Sequence, residues 1–207
     1  MKPETPPPFR GSGGLCGIVH KVYKVYKVAT QVGCFNYQLS IFNPYPLPLM
    51  KSILFVCLGN ICRSPMAEFY FRHRVQALGL DSQFAVASAA TSDEELGNTV
   101  YPLAQRTLAA HGISCQGKTA RQMTADDYSR YDFIVCMDHQ NLNRILRLTD
   151  GDPLHKVSLL LSHVAPANRL HPDLDVADPW YTRRFEDAWD DITLGCDALL
   201  EELSSQG

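Results

Sequence analysis

No pair of cysteines in this 207-residue chain is spaced C-x-x-C, although there are seven: Cys16, Cys34, Cys57, Cys62, Cys115, Cys136 and Cys196. That absence argues against zinc ribbons and thioredoxin-like redox motifs. No apolar run approaches the ~18 residues of a membrane-spanning helix. Lysines at 21, 24 and 27 break up the most apolar part of the N-terminal stretch, so no secretory leader is expected either. Charge of one sign is also scarce, with a formal net charge of -3. It is unevenly spread. Residues 1–49 hold five basic groups and one acidic group, and residues 50–207 hold 14 basic and 21 acidic groups. An acidic body lacks the basic face that a nucleic-acid backbone requires. No Gly-Lys-Ser/Thr follows any glycine-rich turn, so a Walker-type nucleotide loop is ruled out.

What is present divides at residue 50. Met1–Gly14 is rich in proline and glycine, Lys21–Val28 repeats with period three, and Asn43–Pro48 breaks any regular element. Period three fits neither a strand face nor a helix stripe. Residues 1–49 are therefore expected to be a disordered extension, one that could lie upstream of a start at Met50. Residues 50–207 are expected to form the folded domain. Apolar runs at 52–56, 84–88, 133–137 and 156–160 read as buried strands. Between and after them, 66–78, 103–111, 140–148 and 185–203 read as helices. The first starts behind a Ser64 N-cap and Pro65, and the second closes at Gly112. Thr124–Asp127 reads as a further helix start. The alternation predicts an α/β fold: a four-stranded parallel sheet with helices on both faces. In such sheets ligands sit beyond the C-terminal strand ends, which is where Cys57 falls on the first strand.

The segment Cys57-Leu58-Gly59-Asn60-Ile61-Cys62-Arg63-Ser64 runs from a strand end to a helix start. Successive backbone amides in such a loop can converge on an anion, helped by the positive end of the helix. Gly59 is expected to supply dihedrals that other residues avoid, and Asn60 tolerates the left-handed region. Arg63 offers a planar fork for two phosphate oxygens. The same field favours the thiolate of Cys57, the nucleophilic form, and Ser64 can hydrogen-bond that sulfur. Breaking a phenol phosphate also calls for an acid, because Cys57 cannot supply the proton. A carboxyl on the long loop 162–182 can do so if burial or the phosphate dianion keeps it protonated. Spacing alone leaves Asp173, Asp175 and Asp178 open.

With these residues in view, the chain resembles the low-molecular-weight protein tyrosine phosphatases from about Lys51 to Leu203. The likeness rests on Phe55–Glu68, Ser88–Ser92, His111–Ile113, Tyr131–Asp138 and Ala177–Tyr181. The resemblance implies that Cys57 is the nucleophile, Arg63 the phosphate clamp and Asp178 the general acid. It further implies that Cys62 is a redox partner of Cys57, and that Asn60 and His111 bond to each other to hold the loop. Leu58, Gly59, Asn60, Ile61, Cys62 and Ser64 are expected to cradle the substrate, with Trp180 and Tyr181 walling the cleft around an aromatic ring. Trp180 departs from the Tyr-Tyr more usual in the family.

The expected activity is hydrolysis of phosphotyrosine monoesters through a cysteinyl-phosphate, without metal or cofactor. Three rivals stand beside it. Protein-arginine phosphatases of the same family carry Thr where Ile61 stands. A thioredoxin-coupled arsenate reductase needs two more cysteines close together, whereas Cys115 and Cys136 are 21 residues apart. A non-catalytic phosphate-binding module would not need Cys57, Arg63 and Asp178 together. The expected partner is a phosphotyrosine-containing protein or a small aryl phosphate, with neither nucleic acid nor membrane, and the protein is expected to be a cytoplasmic monomer.

Overall fold

The structure, a computed structural model, describes residues 23–29, 35–41 and 50–205. The first two of these segments are strands, β1 (Tyr23–Ala29) and β2 (Phe35–Ile41), which pair in antiparallel register, Tyr26 opposite Gln38. The period-three repeat was expected to form no regular element. The strand it forms is consistent with its alternating Val, Tyr and Lys, since β-branched and aromatic residues favour extended backbone. The Pro-Gly-rich segment at 1–14 and the Pro-rich segment at 43–48 lie outside the described residues.

Residues 50–205 carry the expected parallel sheet. Its strands are β3 (Lys51–Cys57), β4 (Phe84–Ala90), β5 (Phe133–Cys136) and β6 (Val157–Leu159), in the order β4-β3-β5-β6. The chain starts in the middle at β3, moves to one side for β4 and then crosses to the other side for β5. The C-terminal end of β3 is thus the point where strand order reverses, the place such sheets use for ligands.

β3 is buried on both faces and its side chains alternate between two cores. Ile53, Phe55 and Cys57 pack with Met66, Ala67 and Phe71 of α1 (Arg63–Ala77), with Ala104 and Leu108 of α2 (Pro102–Ala110), and with Ile192, Cys196 and Leu199. The last three belong to a long helix, Phe185–Ser205. Leu54 and Val56 face the opposite way, onto Tyr128 of α3 (Ala125–Arg130) and Ile145 of α4 (His139–Leu148). Helices therefore cover both faces. A short helix, α5 (Pro179–Thr182), interrupts the long loop, so the Phe185–Ser205 helix is α6. At Gly195 of α6, an added Cβ would stand 2.5 Å from Leu160 Cγ, so this helix closes on the sheet only because a side chain is missing there.

One boundary moves. α1 begins at Arg63, with Cys62 as its N-cap residue, rather than behind Ser64. Pro65 then lies in the first turn, where amides have no helical acceptor and a missing N–H costs nothing. Ser64 is freed from capping and turns its hydroxyl to the loop.

Candidate active site

Cys57 ends β3, and the chain then wraps into a loop braced from outside. Thr91 N donates to Cys57 O (2.9 Å), Ser92 N to Leu58 O (3.0 Å) and Tyr101 N to Ile61 O (2.8 Å). Within the loop, Asn60 N donates to Cys57 Sγ at 3.3 Å, and Ser64 Oγ lies 3.0 Å from the same sulfur. Asn60 sits at φ 55, the left-handed region that Asn tolerates better than most residues. Gly59 does not adopt a positive φ. A Cβ there would approach Glu95 Cγ at 3.1 Å, so its close neighbour is a flexible side chain that would have to give by a few tenths of an ångström.

The bonds of Asn60 correct one implied contact. Its amide donates to Ser64 Oγ (2.8 Å) and Ser88 Oγ (2.7 Å), and its Oδ1 accepts from Arg121 N (3.2 Å). His111 is not its partner; that ring stacks on Trp189 at 4.3 Å. Behind Ser88 lies buried Glu68, which accepts its hydroxyl at 2.6 Å and meets Lys118 Nζ at 2.9 Å and Arg72 at 2.8 Å. Sequence reasoning missed Glu68, Lys118 and Arg121, because strand pairing and remote loops bring them together.

Arg63 is almost fully buried. Its Nη1 donates to Asp138 Oδ2 (2.6 Å) and Val176 O (3.0 Å), and its Nη2 to Asp178 Oδ2 (2.5 Å). Burial pulls its pKa down, but the charges of Cys57, Asp178 and Asp138 outweigh that and hold it above the ordinary value. Cys62 is buried beside Cys57. Burial first, and then the Cys57 charge, push its thiol well up, so it is a neutral thiol at physiological pH.

Asp178 caps α5, accepting from Trp180 N at 3.0 Å. One cleft of about 270 Å³ brings together Cys57, Leu58, Gly59, Ile61, Cys62, Arg63, Asp178, Trp180 and Tyr181. Asn60 and Ser64 lie beneath it, fully buried. Trp180 packs edge-on against Tyr101 at 4.8 Å and is capped by Arg183, whereas Tyr181 is largely exposed. Glu94 and Glu95 also line this cleft, a wall that sequence reasoning did not name. Asp173 does not line it, and neither does Asp175, which bonds to His139. Such a site can bind a phosphoryl group by its loop amides and arginine, attack it with sulfur, and exchange a proton with a leaving oxygen.

Comparison with known proteins gives a consistent answer. The sequence pattern of the family described as "Low molecular weight phosphotyrosine protein phosphatase" matches residues 52–207. The chain is 36% identical over 157 residues to the Bacillus subtilis low molecular weight protein-tyrosine-phosphatase YfkJ, covering 76% of this chain and 98% of that protein. It is 38% identical over 155 residues to the human low molecular weight phosphotyrosine protein phosphatase, covering 73% and 95%. The crystal structure of the Bacillus protein superposes with a TM-score of 0.72 at 35% identity, over 76% of this chain and 96% of that one.

Proposed function

The chain belongs to the low molecular weight phosphotyrosine protein phosphatase family, and from that membership we propose how its residues perform the reaction. The protein is a protein-tyrosine phosphatase, a hydrolase of phosphotyrosine monoesters. Its catalytic groups are Cys57, Arg63 and Asp178. The observation that carries this reading is their meeting in one cleft, with Asn60 N on the sulfur at 3.3 Å and Asp178 on Arg63 at 2.5 Å.

A phosphate dianion seated in the loop competes with Asp178 for the Arg63 fork. Once displaced, the carboxyl is free to turn to the leaving oxygen. Cys57 Sγ attacks phosphorus in line, the P–O bond to the phenol breaks, and Asp178 gives its proton to the leaving oxygen. The cysteinyl-phosphate is then attacked by water whose proton Asp178 takes back, releasing inorganic phosphate and the Cys57 thiolate. The loop amides and Arg63 hold the equatorial oxygens in both steps. Ser64, 3.0 Å from the sulfur, stabilises the thiolate as it leaves. Arg63, amides and the α1 N-terminus together meet the anionic charge, so no step requires a metal.

Trp180 and Tyr181 flank the phenyl ring, and Ile61 fills the cleft wall where an arginine phosphatase would carry threonine. The catalytic domain is residues 50–207. It works as a cytoplasmic monomer on phosphotyrosine proteins or small aryl phosphates, not on nucleic acid or at a membrane. The acidic balance of residues 50–207 supports the exclusion of nucleic acid. Among the described residues no helix is long and apolar enough to cross a membrane. Turnover of 4-nitrophenyl phosphate in the presence of chelator tests the reading. Activity that disappears in Cys57→Ser supports it; no activity in the native chain, or full activity in Cys57→Ser, overturns it.

A further inference from the structure

Asp178 stands at the start of α5, a four-residue helix too short to hold itself together in water. Three ties fix this segment. Upstream, Val176 N donates to Met137 O at 2.8 Å. In the centre, Asp178 pairs with Arg63. Downstream, Arg183 Nη1 donates to Tyr101 Oη at 2.9 Å. Among the described residues, this last is the one hydrogen bond by which residues 179–184 reach beyond their own loop and α6. Packing reinforces it. The Tyr101 ring lies edge-on to Trp180 at 4.8 Å and stacks on Phe185 at 5.9 Å, and the Arg183 guanidinium sits over the Trp180 ring at 5.7 Å. Arg183 ends α5 at φ 61, a left-handed conformation where glycine is the usual residue. A side chain there carries strain, which the bond to Tyr101 and the stacking on Trp180 offset. Tyr101 also grips the phosphate loop, since its backbone N donates to Ile61 O at 2.8 Å. One residue therefore holds both the loop that bears the sulfur and the loop that bears the acid.

Resting on the phosphotyrosine reading above, we propose that Tyr101 and Arg183 are positioning residues that keep Asp178 over the leaving group once Arg63 has released it. In the proposed cycle the phosphate dianion takes the Arg63 fork. The central tie is thus lost at the moment the carboxyl must deliver its proton. The Tyr101–Arg183 tie does not involve the phosphate and persists. It keeps α5, and Asp178 with it, in register with the loop that carries Cys57. Neither residue touches the reacting atoms; both act through Asp178.

The test uses the full chain, single turnovers at saturating substrate, and two substrates. A phosphotyrosine peptide needs a proton for its leaving phenolate, whereas 4-nitrophenyl phosphate scarcely does. Tyr101→Phe keeps the ring and removes the hydroxyl, and Arg183→Gly removes the side chain while suiting the left-handed backbone. Each is expected to slow the first step on the peptide by about tenfold, short of the about 10²–10⁴-fold worth of the acid itself, and to leave the first step on 4-nitrophenyl phosphate within about twofold. In a chain already carrying Asp178→Asn, Arg183→Gly is expected to add no further loss on the peptide, because it acts through the missing acid. An unchanged peptide rate in either variant overturns the proposal. So does an equal fall on both substrates, which would place the effect on the phosphate loop through Ile61. A change confined to KM overturns it by assigning the effect to Trp180 and substrate binding, and so does a loss that persists undiminished beside Asp178→Asn. A native chain that hydrolyses neither substrate overturns the phosphotyrosine reading itself, a result distinct from all of these.

Discussion

Arg63 holds two carboxylates at once, and the proposed cycle has to take one of them away. That exchange gives Asp178 two duties whose costs separate by leaving group. Phenolate from phosphotyrosine is basic and needs a proton; 4-nitrophenolate scarcely does. Asp178→Asn is therefore expected to lower kcat on a phosphotyrosine peptide by about 10²–10⁴-fold, the usual worth of general acid catalysis, and to slow the first step on 4-nitrophenyl phosphate far less. Stopped-flow release of 4-nitrophenol beside steady-state peptide assays measures both. Ile61 carries the choice between acceptors: Ile61→Thr is expected to raise the phosphoarginine-to-phosphotyrosine ratio of kcat/KM, read on paired peptides, and an unmoved ratio would remove this residue from specificity. Cys57, Asn60 and Arg63 were legible in sequence because seven consecutive residues define them. The close neighbour of Gly59 was not, because Glu95 lies 36 residues away in the chain. His111 was misjudged for a related cause: residues near Asn60 are chosen by the pairing of β3 with β4, which brings Ser88 rather than His111 alongside.

Elements set the frame in which those residues meet. α6 can lie against the turn after β6 only because Gly195 leaves room for Leu160. Gly195→Ala puts a methyl group within 2.5 Å of Leu160 Cγ and is expected to destabilise the fold by about 1–3 kcal/mol, despite alanine's better helix propensity. Denaturant midpoints would show it, and a stabilising result would mean that Leu160 gives way freely. The loop carrying Asp178 is tied to α6 through His171, whose Nε2 lies 3.0 Å from Asp191 Oδ2. That bond, working against burial, raises the His171 pKa above its ordinary value. The stability it adds is complete below the ordinary histidine pKa of ~6.5 and drains away as pH climbs through the higher folded value. His171→Gln is expected to flatten the fall of urea midpoint with pH across that window, and an unchanged slope would assign the fall to other groups. The four sheet strands and the main helices were readable from their apolar periodicity. The N-terminus of α1 was not: Ser64-Pro65 looks locally like a cap, but the loop's need for Ser64 against Cys57 draws the helix start back to Arg63.

At the scale of the molecule, β3 begins in the middle of the sheet, and that topology puts Cys57 where the strand order reverses and the loops part. A chain beginning at Met50 is expected to keep the kcat/KM of the full chain on 4-nitrophenyl phosphate, because every group assigned to the reaction lies beyond that residue. The parallel sheet and the loop that follows β3 could be read from sequence, since they depend on local pattern. The β1–β2 pair could not, because a period-three repeat carries no strand signature. The proposed reaction requires the Cys57 sulfur to become covalently phosphorylated. Asp178→Asn should let Cys57 take the phosphoryl group from 4-nitrophenyl phosphate, while water, lacking its base, removes it slowly. Mass spectrometry of the acid-quenched variant should find one phosphoryl group on the peptide containing Cys57. A peptide that stays unmodified while 4-nitrophenol is released in a burst, or a phosphoryl group on another residue, would contradict the account.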